Sequence, residues 1–175
     1  MDERSEKEMK TGIVERELTR QYERYYRFAL SIVRNREDAL DVVQEAAYRA
    51  IRGQEKLQKP EFADTWIHKI ILNTAMDLLR KKKQECPQED SLLLDAVQPS
   101  VESGYEKSEL ESVLALLDPE DRTILVLRYF EDRKLEEIAE ITGKKVNTVK
   151  TRLYRALDRL QEMCTEQGAR KGVQG

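Results

Sequence analysis

Between Lys144 and Arg155 the chain gathers Lys144, Lys145, Asn147, Thr148, Lys150, Thr151, Arg152 and Arg155. These side chains offer ammonium, guanidinium, amide and hydroxyl groups, which grip phosphates and read base edges. Thr148, Thr151, Arg152 and Arg155 repeat at i, i+3, i+4 and i+7, so on a helix they form one stripe. From Lys144 to Leu160 six Lys/Arg face a single acid, Asp158. Lys144 and Lys145 stand where the helix would begin, although the helix dipole disfavours cations there. Such a breach of a local rule is expected at a functional site, and phosphate contact accounts for it.

The elements that must carry this stripe are legible just upstream. Ile138, Ala139 and Ile141 give one short helix an apolar face. Val149, Leu153, Leu157 and Leu160 give the next helix its own, opposite the polar stripe. Gly143 supplies the backbone freedom of a tight turn, and Ala139 is small where the helices approach. This is the pattern of a helix-turn-helix, whose second helix enters a DNA major groove. An ordinary solvated basic helix would lack the coincident turn and small residue.

Composition narrows the remainder. At 37% charged and 6% aromatic the chain fits a helical protein, and no sustained period-2 run signals a strand. The 175 residues suffice for two small domains. The net charge is −3, whereas a free-standing DNA binder carries a basic excess, so DNA binding is expected to need a partner. Cys86, Cys164 and the single His68 have no companions at ligand spacing, so neither a zinc site, a disulfide framework nor any other cofactor is expected. Neither a secretory leader nor a spanning apolar run is evident, and a cytoplasmic protein is expected.

The predicted fold is all-α, with two small helical domains at 14–84 and 105–167 joined by an acidic, flexible linker at 85–104. A first helix is predicted over Val14 to Val33, broken at Arg34-Asn35. Asn35 is then the N-cap of a second helix that runs to Arg52 and ends at Gly53. A polar loop over 53–61 leads to Pro60, which starts a third helix ending in Arg80-Lys-Lys-Lys83. From Glu85 to Asp121 eleven acids oppose Lys107 alone, a solvated segment or one suited to a basic channel. A helix ends near Leu117, and Asp118-Pro119 then opens another whose Ile124, Leu125, Val126, Leu127 and Phe130 should be core. Residues 168–175 are expected to be disordered.

Two further constellations stand in the first domain. The second helix shows an inward stripe, Leu40, Val43, Ala47 and Ile51, beside a stripe of Asp41, Gln44, Glu45 and Tyr48. The latter is plain surface or a docking face with an aromatic anchor. The third helix mixes Trp66, His68, Lys69, Asn73, Thr74, Asp77, Arg80 and Lys81 with its core positions. Aromatic, amide and basic groups together suit single-stranded nucleic acid; equally, Trp66 is core and the basic end complements the helix dipole.

The three constellations, in this order, resemble the two-domain sigma factors of the extracytoplasmic-function type, a group of the sigma-70 family of RNA polymerase subunits. Asp38-Ala-Leu-Asp-Val-Val-Gln-Glu45 resembles the family's segment that docks on polymerase clamp helices. Thr65 to Arg80 resembles its −10 reading and melting helix. Leu117 to Arg122 and Leu135 to Leu157 resemble its −35 reading domain, and the portion from Glu131 to Arg155 is similar to a sigma-V-like branch. The resemblance implies that Asp38, Asp41, Gln44, Glu45 and Tyr48 meet core RNA polymerase. It implies that Trp66, Asn73, Asp77, Arg80 and Lys81 meet melted −10 DNA beside a base-capturing 53–65 loop. It implies that the basic stripe reads duplex −35 DNA, that the linker threads the polymerase cleft, and that an anti-sigma factor, in many members membrane-bound, is a further partner. One departure is Lys145, where the family often has Ser or Pro and this chain offers no good cap.

The function implied is promoter-directed initiation by core polymerase, without catalysis by this chain. A conventional helix-turn-helix regulator would bind duplex DNA unaided as a dimer, which the negative net charge opposes. An enzyme would need an assembled nucleophile, metal set or phosphate loop, and none is legible. A helical adaptor protein would leave the basic stripe idle.

Overall fold

The computed structural model describes residues 2–86 and 109–172, and its elements are α1 (Glu3–Arg20), α2 (Tyr22–Val33), α3 (Arg36–Arg52), α4 (Ala63–Glu85), α5 (Glu109–Leu114), α6 (Pro119–Leu125), α7 (Leu135–Thr142) and α8 (Val146–Gly172). No strand occurs among the described residues. They fall into two units, one built on α1–α4 and one on α5, α6 and α8, with α7 divided between them. Most of the 85–104 linker lies outside the described residues.

In the first unit, local signals set the helix ends. Arg34 turns left-handed (φ 58°) and its N–H closes on Leu30 O at 2.8 Å, ending α2. Asn35 Oδ1 then accepts the Asp38 N–H at 3.0 Å, capping α3, while Glu37 and Asp38 suit the helix dipole. Gly53 closes α3 through its N–H to Arg49 O. A Cβ on Gly53 would stand 3.1 Å from that carbonyl and 3.9 Å from the Trp66 ring, so glycine lets the chain pass beneath the indole. Short 3₁₀ turns at Gln54–Lys56 and Pro60–Phe62 replace the plain loop expected over 53–61.

The core of this unit is Tyr25, Phe28 and Ile32 of α2, Ala39, Val42, Val43, Ala46 and Ala50 of α3, and Ile67, His68, Ile71 and Ala75 of α4. Three alanines on α3 allow its axis close to α2 and α4. Two expectations are corrected. The single helix over 14–33 is two, because Gln21 leaves helical geometry (φ −107°, ψ 15°), and α1 starts well before Val14. The inward stripe of α3 is not Leu40, Val43, Ala47 and Ile51: Leu40 and Ile51 are exposed, and only Val43 of the four is buried. At about 100° per residue, the buried line runs through Ala39, Val42, Val43, Ala46 and Ala50 instead.

The second unit is built on α6. Pro119 opens it as expected, while Asp118 makes no side-chain cap. Buried Arg122 reaches back to the carbonyls of Leu117 (3.2 Å), Ala115 (3.4 Å) and Leu114 (3.5 Å), satisfying the free end of α5. The following turn widens, with Glu131 N–H bonding Val126 O. Ile124, Leu125, Val126 and Leu127 are core as expected, but Phe130 swings outward and is 62% exposed. Glu137 caps α7 by accepting the Lys134 N–H at 2.9 Å. Gly143 has φ 68° with open space around a notional Cβ, so the turn needs glycine for conformation rather than room. Val149, Leu153 and Ala156 are the buried line of α8, which packs against α6 and its buried Ile124. The tail expected to be disordered from residue 168 continues as helix to Gly172.

Candidate nucleic-acid interface

Once Leu40 and Ile51 face outward, α3 presents a mixed face rather than a polar one. Leu40, Tyr48 and Ile51 are exposed, and Asp41, Gln44 and Glu45 are exposed between and beside them. Exposed apolar groups ringed by acids and an amide suit a protein partner more than free water. Asp38 is different: its carboxylate is mostly covered and pairs with Lys82 of α4. Sequence spacing missed Leu40 and Ile51 because two stripes one residue apart are equally helical; the run of small alanines was the available signal for the true inward line.

Beside that face lies a cleft of about 490 Å³ lined by Tyr48, Arg49, Arg52, Gly53, Glu55, Lys56, Trp66, Ile70 and Asn73. Trp66 is half-buried, so it is neither core nor a free surface ring. Its residue spacing to Ile70, Asn73, Asp77 and Arg80 draws one line along α4, opposite buried Ile67, His68, Ile71 and Ala75. Arg52 stacks over the Tyr48 ring at 5.5 Å and donates to its hydroxyl at 2.8 Å. A planar ring, a stacked guanidinium and an amide around one opening can hold an unstacked base. Lys81 is exposed on the flank. His68 and Thr74, grouped with this face on sequence, belong to the interior.

Arg49, unremarked in the sequence, joins the two faces of this unit. Its Nε donates to Glu45 Oε1 at 2.8 Å, and its Nη1 to Asp77 Oδ2 at 3.2 Å and Thr74 Oγ1 at 3.4 Å. Arg80 completes the row on Asp77 Oδ1 at 2.6 Å. These bonds, Glu45 first, raise the Arg49 pKa above its ordinary value and hold it charged. The i+4 spacing of Glu45 and Arg49 was the legible signal.

The interior of the unit holds a polar cluster. Tyr25 donates its hydroxyl to Asp64 Oδ1 at 2.9 Å, and His68 Nδ1 lies 2.9 Å from Asp64 O and 3.1 Å from Oδ1. Both neighbours of Nδ1 are acceptors, so the proton sits on Nδ1. Arg24 stands 3.6 Å from Asp64 Oδ2. Burial, and then the nearby Asp64 carboxylate, push the Tyr25 phenol far above its ordinary pKa.

Lys145 just before α8, and Asn147, Thr148, Lys150, Thr151 and Arg155 on it, are exposed. The Thr151 hydroxyl donates back to Asn147 O at 2.9 Å. Tyr154, absent from the sequence reading, is 57% exposed; it lies seven residues after Asn147 and three after Thr151, on the outward line. Arg152 departs from the expected stripe. It is half-buried, and its Nη1 lies 2.7 Å from Glu120 Oε2, 2.9 Å from Asp121 Oδ1 and 3.8 Å from Asp118 Oδ2. Lys144 likewise turns to Glu120, at 3.3 Å. The stripe read from spacing alone therefore divides into free cations and cations held by α6.

Residues 18–85 match the sequence profile described as Sigma-70 region 2, and residues 107–160 that of Sigma-70, region 4. The chain is 43% identical over 143 residues to the RNA polymerase sigma factor SigV of Bacillus subtilis, covering 82% of this chain and 86% of that protein. It is 32% identical to the RNA polymerase sigma-E factor of Streptomyces coelicolor, covering 78% of this chain and 77% of that one. Among solved structures, the sigma factor RpoE in complex with the anti-sigma factor NepR from Bartonella quintana has a similar fold. Its TM-score is 0.72 at 24% identity, over 86% of this chain and 96% of that one.

Proposed function

This chain belongs to the sigma-70 family of RNA polymerase sigma factors, in its extracytoplasmic-function group, and from that premise we propose that its two domains divide promoter recognition between them. It binds core RNA polymerase and directs promoter-specific initiation. The observation that carries the division of labour is the pairing, in one unit, of an apolar-acidic face on α3 with a Trp66 cleft, and in the other of a helix-turn-helix with an exposed cationic α8.

In this reading Leu40, Asp41, Gln44, Glu45, Tyr48 and Ile51 dock on polymerase. The apolar members supply affinity, and the acids fix register against a basic partner. Trp66 and Asn73, with Arg52 and Lys56 of the cleft wall, hold bases of the melted −10 strand. Asp77, Arg80 and Lys81 line the downstream run of that strand. Lys145, Asn147, Lys150, Thr151, Tyr154 and Arg155 read the −35 duplex from the major groove. Each good base contact contributes about 1–3 kcal/mol of discrimination. The chain performs no chemistry of its own, works in the cytoplasm where polymerase and chromosome are, and is held in check by an anti-sigma factor. No helix among the described residues is long and apolar enough to cross a membrane.

The test is transcription by purified core polymerase on a genomic fragment library, with and without this protein. Discrete new start sites sharing −35 and −10 elements are expected. Duplex binding by the protein alone, with no new transcripts, would favour a conventional helix-turn-helix regulator. Within that assay, Trp66→Ala should impair opening at start sites while leaving polymerase affinity intact.

A further inference from the structure

We propose that Arg152 is not a DNA contact but a positioning residue, which locks the pitch of α8 on the carboxylates of α6. The proposal rests on the reading of α8 as the −35-reading helix.

The geometry separates Arg152 from its neighbours. One nitrogen, Nη1, meets Glu120 at 2.7 Å and Asp121 at 2.9 Å, with Asp118 at 3.8 Å. The Asp121 side chain is 8% exposed, so its charge is nearly desolvated and Arg152 is the cation set against it. Drawing Arg152 off to a phosphate would leave that carboxylate buried and uncompensated, which is strongly unfavourable. Arg155, Lys145 and Lys150 carry no such debt; they are exposed and already point outward.

The position on the helix agrees. Val149, Leu153 and Ala156 define the buried line of α8. At about 100° per residue, Arg152 lies on the shoulder of that line, whereas Asn147, Thr151 and Tyr154 lie across from it. A side chain on the shoulder reaches the element beneath more readily than a groove above. That element is the start of α6, where Asp118, Glu120 and Asp121 cluster at a helix N-terminus whose dipole favours acids. Lys144, on Glu120 at 3.3 Å, ties the start of α8 to the same turn. Two tethers on one turn, Lys144 just before the helix and Arg152 two turns on, fix both the height and the rotation of the reading face.

The two roles for Arg152 predict opposite signs. If it were a DNA contact restrained by carboxylates, neutralising Asp121 would free it and tighten promoter binding. As a positioning residue it loses its anchor, and binding weakens. We would measure holoenzyme binding to a promoter fragment with its −35 element intact or scrambled, across a salt series at 20 °C. Arg152→Ala is expected to lose on the order of tenfold affinity, with discrimination against the scrambled element reduced. The salt slope should stay unchanged, because no phosphate contact has gone. Arg155→Ala serves as the contrast: its slope should fall by about one. Asp121→Asn, nearly isosteric and suited to the case in which Arg152→Ala does not fold, should weaken binding and discrimination in the same sense. A merely structural Arg152 would lower the melting temperature and leave discrimination at 20 °C untouched. A slope reduced by about one in Arg152→Ala, unchanged discrimination, or tighter binding by Asp121→Asn overturns the proposal. Failure of the wild-type holoenzyme to distinguish the intact from the scrambled element would instead overturn the reading of α8 itself.

Discussion

Each domain sets a carboxylate against buried side chains, Asp64 partly covered and Asp121 almost wholly, and the two differ in where its partners come from. In the first, Asp64 is served by Tyr25 and Arg24 of α2 and by His68 one turn along its own helix. All three lie away from the line of Trp66, Asn73 and Asp77, so the face of α4 proposed to hold nucleic acid gives up nothing. In the second, Asp121 is served by Arg152 of α8, the helix proposed to read DNA. The helix proposed to meet DNA thus also completes the core. A carboxylate drawn out of water must have its partners somewhere; whether they come from behind the proposed functional face or from within it decides how freely that face can be changed. The first domain should tolerate substitution on its reading line, while the second should couple stability to reading.

The sharpest way to break this comparison is Asp64→Ala. It strips the acceptor from the Tyr25 hydroxyl and one from His68 in a buried site, and each lost partner costs about 1–3 kcal/mol. We expect about 3 kcal/mol of lost stability in urea unfolding of the α1–α4 domain, with −35 duplex discrimination unaltered. A comparable loss of −35 reading would show that the two domains do not behave separately.

Next in size is Tyr48→Ala on the α3 face. An aromatic anchor in an interface contributes about 2 kcal/mol or more, so core polymerase should bind roughly thirty-fold more weakly. Thermal unfolding should be little changed, because Tyr48 is 55% exposed. Titration of core polymerase with the labelled protein reads the effect directly; unchanged affinity places the docking face elsewhere. Asp41→Ala tests the same face at its rim, and a loss of only about threefold is expected for an exposed charge, shrinking as salt rises.

Much of this organisation is legible in the sequence. Asn35, Gly53, Pro119 and Gly143 mark helix ends through local chemistry, and the structure places all four at or beside such ends. The helix-turn-helix was legible because its turn, small residue and apolar positions are all local. What was not legible depends on tertiary partners. Leu40 and Ile51 satisfied helical spacing yet face outward, since only the neighbouring helices decide which of two adjacent lines is buried. Arg152 satisfied the spacing of a reading stripe, and nothing local to it announces Asp121, thirty-one residues earlier. Tyr154, three residues after Thr151 and seven after Asn147, was legible by spacing as a member of the outward line.

The smallest prediction isolates the buried polar cluster by its proton. Folding raises the Tyr25 pKa, chiefly by burial and then by the Asp64 carboxylate. A raised folded pKa means that the cluster's contribution is complete below about pH 10, the ordinary tyrosine value, and is lost above it. Above that pH the unfolded chain releases the phenolic proton while the folded chain keeps it, so stability falls by about 1.4 kcal/mol per pH unit for this one group. Tyr25→Phe removes the proton and the bond to Asp64 together. It should cost about 1 kcal/mol at neutral pH and make the alkaline decline shallower. The wild-type and variant curves should therefore converge between pH 10 and 11. The other tyrosines and the lysines titrate in both proteins, so the difference between the curves reports Tyr25 alone. Parallel curves would mean that the hydroxyl reaches solvent in the folded state, and Asp64 would then be a carboxylate served from outside, erasing the contrast with Asp121.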